Sequence, residues 1–174
     1  MKNKLISFGI LAAVVIAAGF GVNQIKSSSK TTLSAETVPA TEFSLDQYAR
    51  SGVRIGEKTF SVELALTDEQ QALGLGERDT LAINAGMLFV FKPAQTPAFW
   101  MKDMRFDLDI IWIFDGRVVD ISRRVPAPKS DAKPENLPTY SPDTEVDYVL
   151  EINASAADGI TIGDRVEVVN SSQV

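Results

Sequence analysis

The residues LDIIWIF at 108–114, DG at 115–116 and RVVDISRRV at 117–125 decide the fold class. The first run is the most hydrophobic strand candidate in the chain, and the last alternates apolar and polar side chains. Asp-Gly between two such runs is a strong hairpin signal, because both turn residues adopt positive φ readily.

The same pattern extends outward on both sides. Towards the N-terminus, Phe60, Val62, Leu64 and Leu66 alternate with Ser61, Glu63 and Ala65, the period of a half-buried strand. Val53 to Ile55 precedes it across Gly56-Glu57-Lys58, a second hairpin. Thr67-Asp68-Glu69-Gln70 has the form of a capping box, in which the Thr67 hydroxyl accepts an amide hydrogen and Gln70 reaches back. The helix it opens is short, since Gly74 and Gly76 close it. Gly86 leads into the apolar run Met87 to Phe91. Pro93 and Pro97 then mark a turn before Ala98 to Met101 resumes extended structure. Towards the C-terminus, 126–142 holds five of the eight prolines and no apolar periodicity. A loop that long in a compact domain suits a lid or a docking surface, or serves as a plain connection. Val146 to Ile152 and Arg165 to Val169 are the last strands. The expectation is an all-β domain, a small barrel or sandwich with one or two short helices, preceded by an N-terminal hydrophobic helix. Its apolar side chains face inward on alternate positions, and Trp112 is among them.

Composition narrows the chemistry. The chain has neither cysteine nor histidine. Disulfides, thiolate nucleophiles, Ser-His-Asp catalysis and imidazole or thiolate metal ligation are therefore excluded. Any reaction must use carboxylates, Lys, Tyr, Ser/Thr or an oxygen-bound hard metal. All 23 acidic residues lie at or beyond Glu36, against 13 of the 17 basic residues, so this part of the chain carries −10. A surface that negative repels phosphate backbones, which argues against nucleic acid.

The beginning of the chain reads differently. Lys2 and Lys4 precede an uncharged run of 18 residues from Leu5 to Val22. At about 1.5 Å per residue it spans roughly 27 Å, close to the thickness of a hydrocarbon core. Residues 1–22 are expected to be a membrane anchor, with a cleaved signal segment as the alternative. Residues 23–41 have the Ser/Thr/Lys/Ala/Pro composition of a flexible linker. Residues 42–174 form the globular domain, expected outside the cytoplasm, membrane-anchored or, after cleavage, secreted or periplasmic.

Six stretches resemble the bacterial and archaeal family called domain of unknown function 192. They are Ala72-Leu73-Gly74-Leu75, Gly86-Met87-Leu88-Phe89-Val90-Phe91, Phe99-Trp100-Met101-Lys102, Leu108-Asp109-Ile110-Ile111, Tyr148-Val149-Leu150-Glu151 and Ile162-Gly163-Asp164-Arg165-Val166. The resemblance runs from about Phe60 to Val168. It implies a mainly antiparallel β domain, often secreted or membrane-tethered, and no established activity. The chain departs from the usual pattern at Asp103-Met104, where Asn-Thr is common, at Asp107, where Pro is common, and at Ser155, where Gly is common.

Four features are candidates for function. In Phe99-Trp100-Met101-Lys102-Asp103, a strand would place Trp100 and Lys102 on one face. An aromatic plane beside an ammonium suits a carboxylate-bearing or sugar-like ligand. The plainer reading makes Trp100 core and pairs Lys102 with Asp109 or Glu151. Asp107 and Asp109, two residues apart on a strand, invite a two-carboxylate glycosidase, and Asp103 would complete an oxygen cage for Ca²⁺. Against this, Arg105 sits among them and the EF-hand spacing is missing, so solvated charges, or an Asp109 bond to a neighbouring backbone amide, are the favoured reading. Gly74-Leu75-Gly76 closes a helix instead of opening one, which makes it a C-cap before a phosphate loop. The loop 126–142 brings Lys129, Lys133 and Tyr140. The functional expectation is a non-catalytic binding or interaction module using Trp100, Lys102 and Tyr140, with no cofactor or metal. Its ligand would be a small molecule, a glycan or a protein, and its membrane contact Leu5 to Val22. The alternative is a carboxylate-dependent hydrolase of envelope glycans using Asp107 and Asp109.

Overall fold

Asp115 and Gly116 take φ of 47° and 67°, and the hairpin they close joins the two strands read from sequence, Leu108–Phe114 and Arg117–Val125. A computed structural model of the protein describes residues 48–169. The hydrophobic run Leu5 to Val22 and the linker 23–41 lie outside the described residues. Among the described residues, no helix is long and apolar enough to cross a membrane.

In chain order the strands are β1 (Arg50–Ile55), β2 (Lys58–Ala65), β3 (Ala85–Gln95), β4 (Phe99–Trp100), β5 (Leu108–Phe114), β6 (Arg117–Val125), β7 (Thr139–Tyr140), β8 (Val146–Asn153) and β9 (Val166–Val169). Helix α1 (Asp68–Leu73) lies between β2 and β3, and a single 3-10 turn covers Pro134–Asn136. Seven strands form one sheet in the order β6-β5-β8-β3-β2-β1-β9, while β4 and β7 make a separate two-stranded pair. Neighbours are antiparallel except β2 and β3, which run parallel. Parallel neighbours need a long crossover, and the segment carrying α1 supplies it. The structure is thus mostly β with one short helix, as expected.

The sheet is strongly curled, so that the start of β6 meets the segment leading into β9. The Val118 amide donates to the Asp164 carbonyl at 3.0 Å, and the Val166 amide donates to the Gly116 carbonyl at 2.8 Å. Inside the curl lie Val53, Ile55, Phe60, Val62, Leu88, Ile111, Ile113, Val118, Leu150 and Ile152, plugged by Ala157 and Ile160 of the turn after β8. A second core covers the opposite face of β3, β8 and β5. It contains Met87, Phe89, Phe91, Met101, Met104, Leu108, Ile110, Trp112 and Val149. The expectation of alternation therefore needs correction at the sheet's centre. Leu108 to Ile113 are buried on both faces of β5, because segments outside the sheet cover its second side. Trp112 is fully buried, and its indole N–H donates to the Ser122 hydroxyl at 3.1 Å.

Gly86 shows how tightly β3 and β8 approach. A Cβ there would lie 2.6 Å from the Glu151 carbonyl and 2.9 Å from the Ile152 side chain, so only glycine fits. At α1 the capping box is complete: the Thr67 hydroxyl accepts the Gln70 amide, and the Gln70 side chain accepts the Thr67 amide. Thr67→Ala is expected to cost about 1 kcal/mol of stability, read as a lower urea midpoint with an unchanged slope. An unchanged midpoint would mean the helix is held by its crossover position alone.

Candidate functional site

The covered face of β3, β8 and β5 is where a site forms, because its covering is incomplete. Across this face Glu151 of β8 pairs with Met87 of β3 on one side and with Ile110 of β5 on the other. Both neighbours are fully buried, so the Glu151 side chain emerges into apolar surroundings. Over it lie the residues that close α1 and the segment 97–104. Gly74 caps the helix with φ of 54° and donates its amide to the Gln70 carbonyl. The C-cap expected of this glycine stretch is thus Gly74.

Between these layers is a cavity of about 420 Å³. Phe89 and Phe91 of β3, Phe99 and Trp100 of β4, Gly74 to Glu77, Lys102, Asp103 and Met104 line it, together with Glu151. Phe99 fixes the position of β4. Its ring stands edge-on to Phe89, with centroids 4.8 Å apart, and edge-on to Trp112, 5.4 Å apart. Trp100, the next residue, is consequently left at the rim, 48 % exposed. Lys102 lies beside it with Nζ 5.9 Å from the Trp100 ring centroid, and pairs with Asp103 at 3.0 Å. The pairings of Lys102 with Asp109 or Glu151 raised by the sequence are not made.

Glu151 is the unusual member. It is 6 % exposed, and no hydrogen bond or ion pair reaches its carboxyl among the described residues. Burial without a partner disfavours the charged form and pushes its pKa up to about 8. At neutral pH this side chain is a carboxylic acid, able to donate one hydrogen bond into the cavity.

The wall opposite β4 is pinned to the sheet. Arg78 makes a bidentate pair with Glu63 of β2 at 3.0 and 2.8 Å, and its guanidinium lies over the Tyr48 ring at 5.8 Å. The bond to Glu63 raises the Arg78 pKa further. Beside it, the Glu77 amide donates to the Asp103 carbonyl at 3.0 Å. Both residues have positive φ, 67° and 59°, an uncommon conformation for side-chain-bearing residues. The ridge formed by Glu77 and Lys102 to Met104 separates the cavity from a second, more open cleft of about 650 Å³, lined beyond it by Arg105, Pro128, Lys129 and Ser130.

The remaining sequence candidates fall elsewhere. Tyr140 pairs with Phe99 through β7 and packs on the covering core, but does not line the cavity. Lys129 belongs to the neighbouring cleft. Asp109 points away from Glu151, fully buried, with Oδ1 accepting the Arg124 amide at 2.7 Å and Oδ2 the Ala157 amide at 2.9 Å. Asp107 Oδ1 accepts the Ala127 amide at 2.8 Å. Both carboxylates thus hold backbone, and neither lines the cavity. Among the described residues, no three His, Cys, Asp or Glu side chains group to hold a metal.

Sequence reasoning named Trp100 and Lys102 and passed over Glu151 as more than a partner for Lys102. The signal was present in YVLEI, where one acid interrupts an apolar strand. Recognising it requires knowing that β8 is covered on both sides.

Comparison with known proteins agrees with this architecture. The family model DUF192, described as an uncharacterized ACR, matches residues 51–168. The chain belongs to this family. A crystal structure of a candidate transcription regulator from Sinorhizobium meliloti 1021 is 32 % identical, with a TM-score of 0.61, covering 70 % of this chain and 95 % of that one. A protein of unknown function from Novosphingobium aromaticivorans DSM 12444 is also 32 % identical, with a TM-score of 0.59, covering 69 % and 84 %. No curated protein matches. Two departures from the usual DUF192 pattern have a physical reading. Asp103 and Ser155 stand where Asn and Gly are common, and both have positive φ, 59° and 69°, which Asn and Gly adopt most readily.

Proposed function

We propose that this DUF192 domain is a non-catalytic binding module displayed outside the cytoplasm, tethered through Leu5 to Val22 and the linker that follows. The observation that carries the binding reading is the Glu151 cavity. A buried carboxyl without a partner costs free energy unless something satisfies it. Keeping it beneath an accessible, aromatic-lined space of ligand size is the arrangement expected of a specific pocket. Trp100 and Lys102 at its rim support the same reading, and the absence of His and Cys from the sequence weighs against most catalytic alternatives. The charge of −10 from Glu36 onward also weighs against carrying over the transcription-regulator description of the Sinorhizobium protein. The tether rests on sequence: Lys2 and Lys4 before an 18-residue uncharged run, then a Ser/Thr-rich spacer.

The test is a binding screen of the full-length chain against small organic molecules, envelope sugars and peptides, run beside Ala98→Trp. Ala98 is an exposed residue of the cavity lining, and an indole there would narrow the cavity's mouth. Any true ligand is expected to lose at least about tenfold in affinity in this variant, since displaced contacts worth about 1.4 kcal/mol give that factor. A ligand bound equally by both forms would place the binding site elsewhere.

A further inference from the structure

We infer that the cavity takes a small organic ammonium ion with an apolar body, its positive charge meeting the Glu151 carboxylate. This rests on the binding reading above and adds the ligand class.

The charged groups facing the cavity are Glu77, Lys102, Asp103 and Glu151. Lys102 and Asp103 pair with each other at 3.0 Å, which leaves the remaining charge-bearing groups acidic. Among the described residues no other charge approaches from the sheet, where the flanking positions are Met87 and Ile110, and α1 contributes the neutral Gln71. The walls are the rings of Phe89, Phe91, Phe99 and Trp100. Ring faces attract cations electrostatically, and a carboxylate among aromatic rings is the combination that recognises organic ammonium groups. Trp100 already holds an ammonium in the free protein, that of Lys102 over its ring. An anionic ligand would gain from Lys102 but meet the charges of Glu77 and Asp103, and it would keep Glu151 from ionising.

Binding has a proton balance. In the free protein at pH 7 Glu151 carries its proton. When the ammonium enters, the O–H bond breaks, the carboxylate stays with the cation, and the proton passes to solvent.

The probe is benzyltrimethylammonium, which has no titratable proton, with phenylacetate and benzyl alcohol as anionic and neutral comparators. Calorimetry on the full-length chain in two buffers of different ionisation enthalpy counts protons released. The expected result is preferential binding of the cation with nearly one proton released at pH 7. Its affinity should rise about tenfold per pH unit between 6 and 8 and level off above. Glu151→Gln should abolish both the release and the pH dependence. Lys102→Ala, which removes a repelling charge at the rim, should tighten the cation and not the comparators. Tighter binding of phenylacetate or benzyl alcohol, with Ala98→Trp blocking it, would overturn the ammonium assignment and leave the pocket reading intact. Cation binding without proton release would overturn the assignment too. Binding of none of the three probes at millimolar concentration would overturn it as well.

Discussion

Asp109→Ala is expected to remove about 3–5 kcal/mol of stability, enough to leave a domain of ordinary stability near its unfolding threshold at 37 °C. The reason lies in what its two oxygens hold. Oδ1 accepts the amide of Arg124, a residue with φ of 49° beside the irregularity in the β5–β6 ladder. Oδ2 accepts the amide of Ala157, in the turn that plugs the curl. Alanine leaves both amides without partners, the one of Ala157 buried and the one of Arg124 partly so, and hydrogen bonds to a charged acceptor are among the stronger ones. The plug is also secured by Arg123, which donates to the Ala157 and Ile160 carbonyls at 2.8 and 2.6 Å, so a partly folded sheet should survive the loss. Asp109→Asn keeps one acceptor and turns an N–H₂ towards the other amide, so it should fall between wild type and alanine. Urea unfolding measures both. A loss below about 1 kcal/mol in the alanine variant would mean that solvent reaches these amides. Large destabilisation with an intact cavity also separates Asp109 from ligand binding, where a glycosidase reading would have placed it.

The fate of Asp109 shows what the sequence could and could not convey. Strand positions followed from alternation and turn chemistry, because these are local. Asp115-Gly116, the Thr67–Gln70 box and the helix-closing Gly74 each adopt the conformation their residue types favour. The run LDIIWIF was legible as a strand. Its burial on two faces was not, because the second cover comes from residues 74–77 and 97–104, remote in sequence. The same holds for the parallel pairing of β2 with β3, which requires knowing where the α1 crossover returns the chain. The site suffers most from this. Trp100 and Lys102 stand out as residue types. Their neighbour Glu151 reaches them only through the order β5-β8-β3, and that order is fixed by the fold as a whole. An acid in YVLEI and an acid in LDIIW look alike on paper. One meets two backbone amides and the other meets none.

That difference makes Glu151 the source of an unusual dependence on pH. Its pKa is about 8 in the folded protein against 4.5 for an unperturbed glutamate. Between these values the folded chain keeps a proton that the unfolded chain has released. Stability from this group is therefore complete below about pH 4.5 and is lost as pH rises through about 8, flattening beyond. With about 1.4 kcal/mol for each unit of displacement, the whole loss amounts to several kcal/mol. Ordinary carboxylates titrate at lower pH, so urea midpoints between pH 5.5 and 9 isolate the contribution. Wild type is expected to weaken steadily up to about pH 8 and level off above it, and Glu151→Gln to stay level throughout. Because the glutamine amide brings one N–H donor more than the protonated carboxyl, and an unsatisfied buried donor costs about 1–3 kcal/mol, the variant should start below wild type at pH 5.5 and overtake it by pH 9. The crossing is the signature, since a merely structural defect would lower one curve at every pH. Parallel curves would show that Glu151 ionises freely in the folded protein, and the pocket would then lose the buried acid on which its reading rests. A cation that seats against the carboxylate should abolish the alkaline weakening of wild type, because it supplies the charge that burial denies.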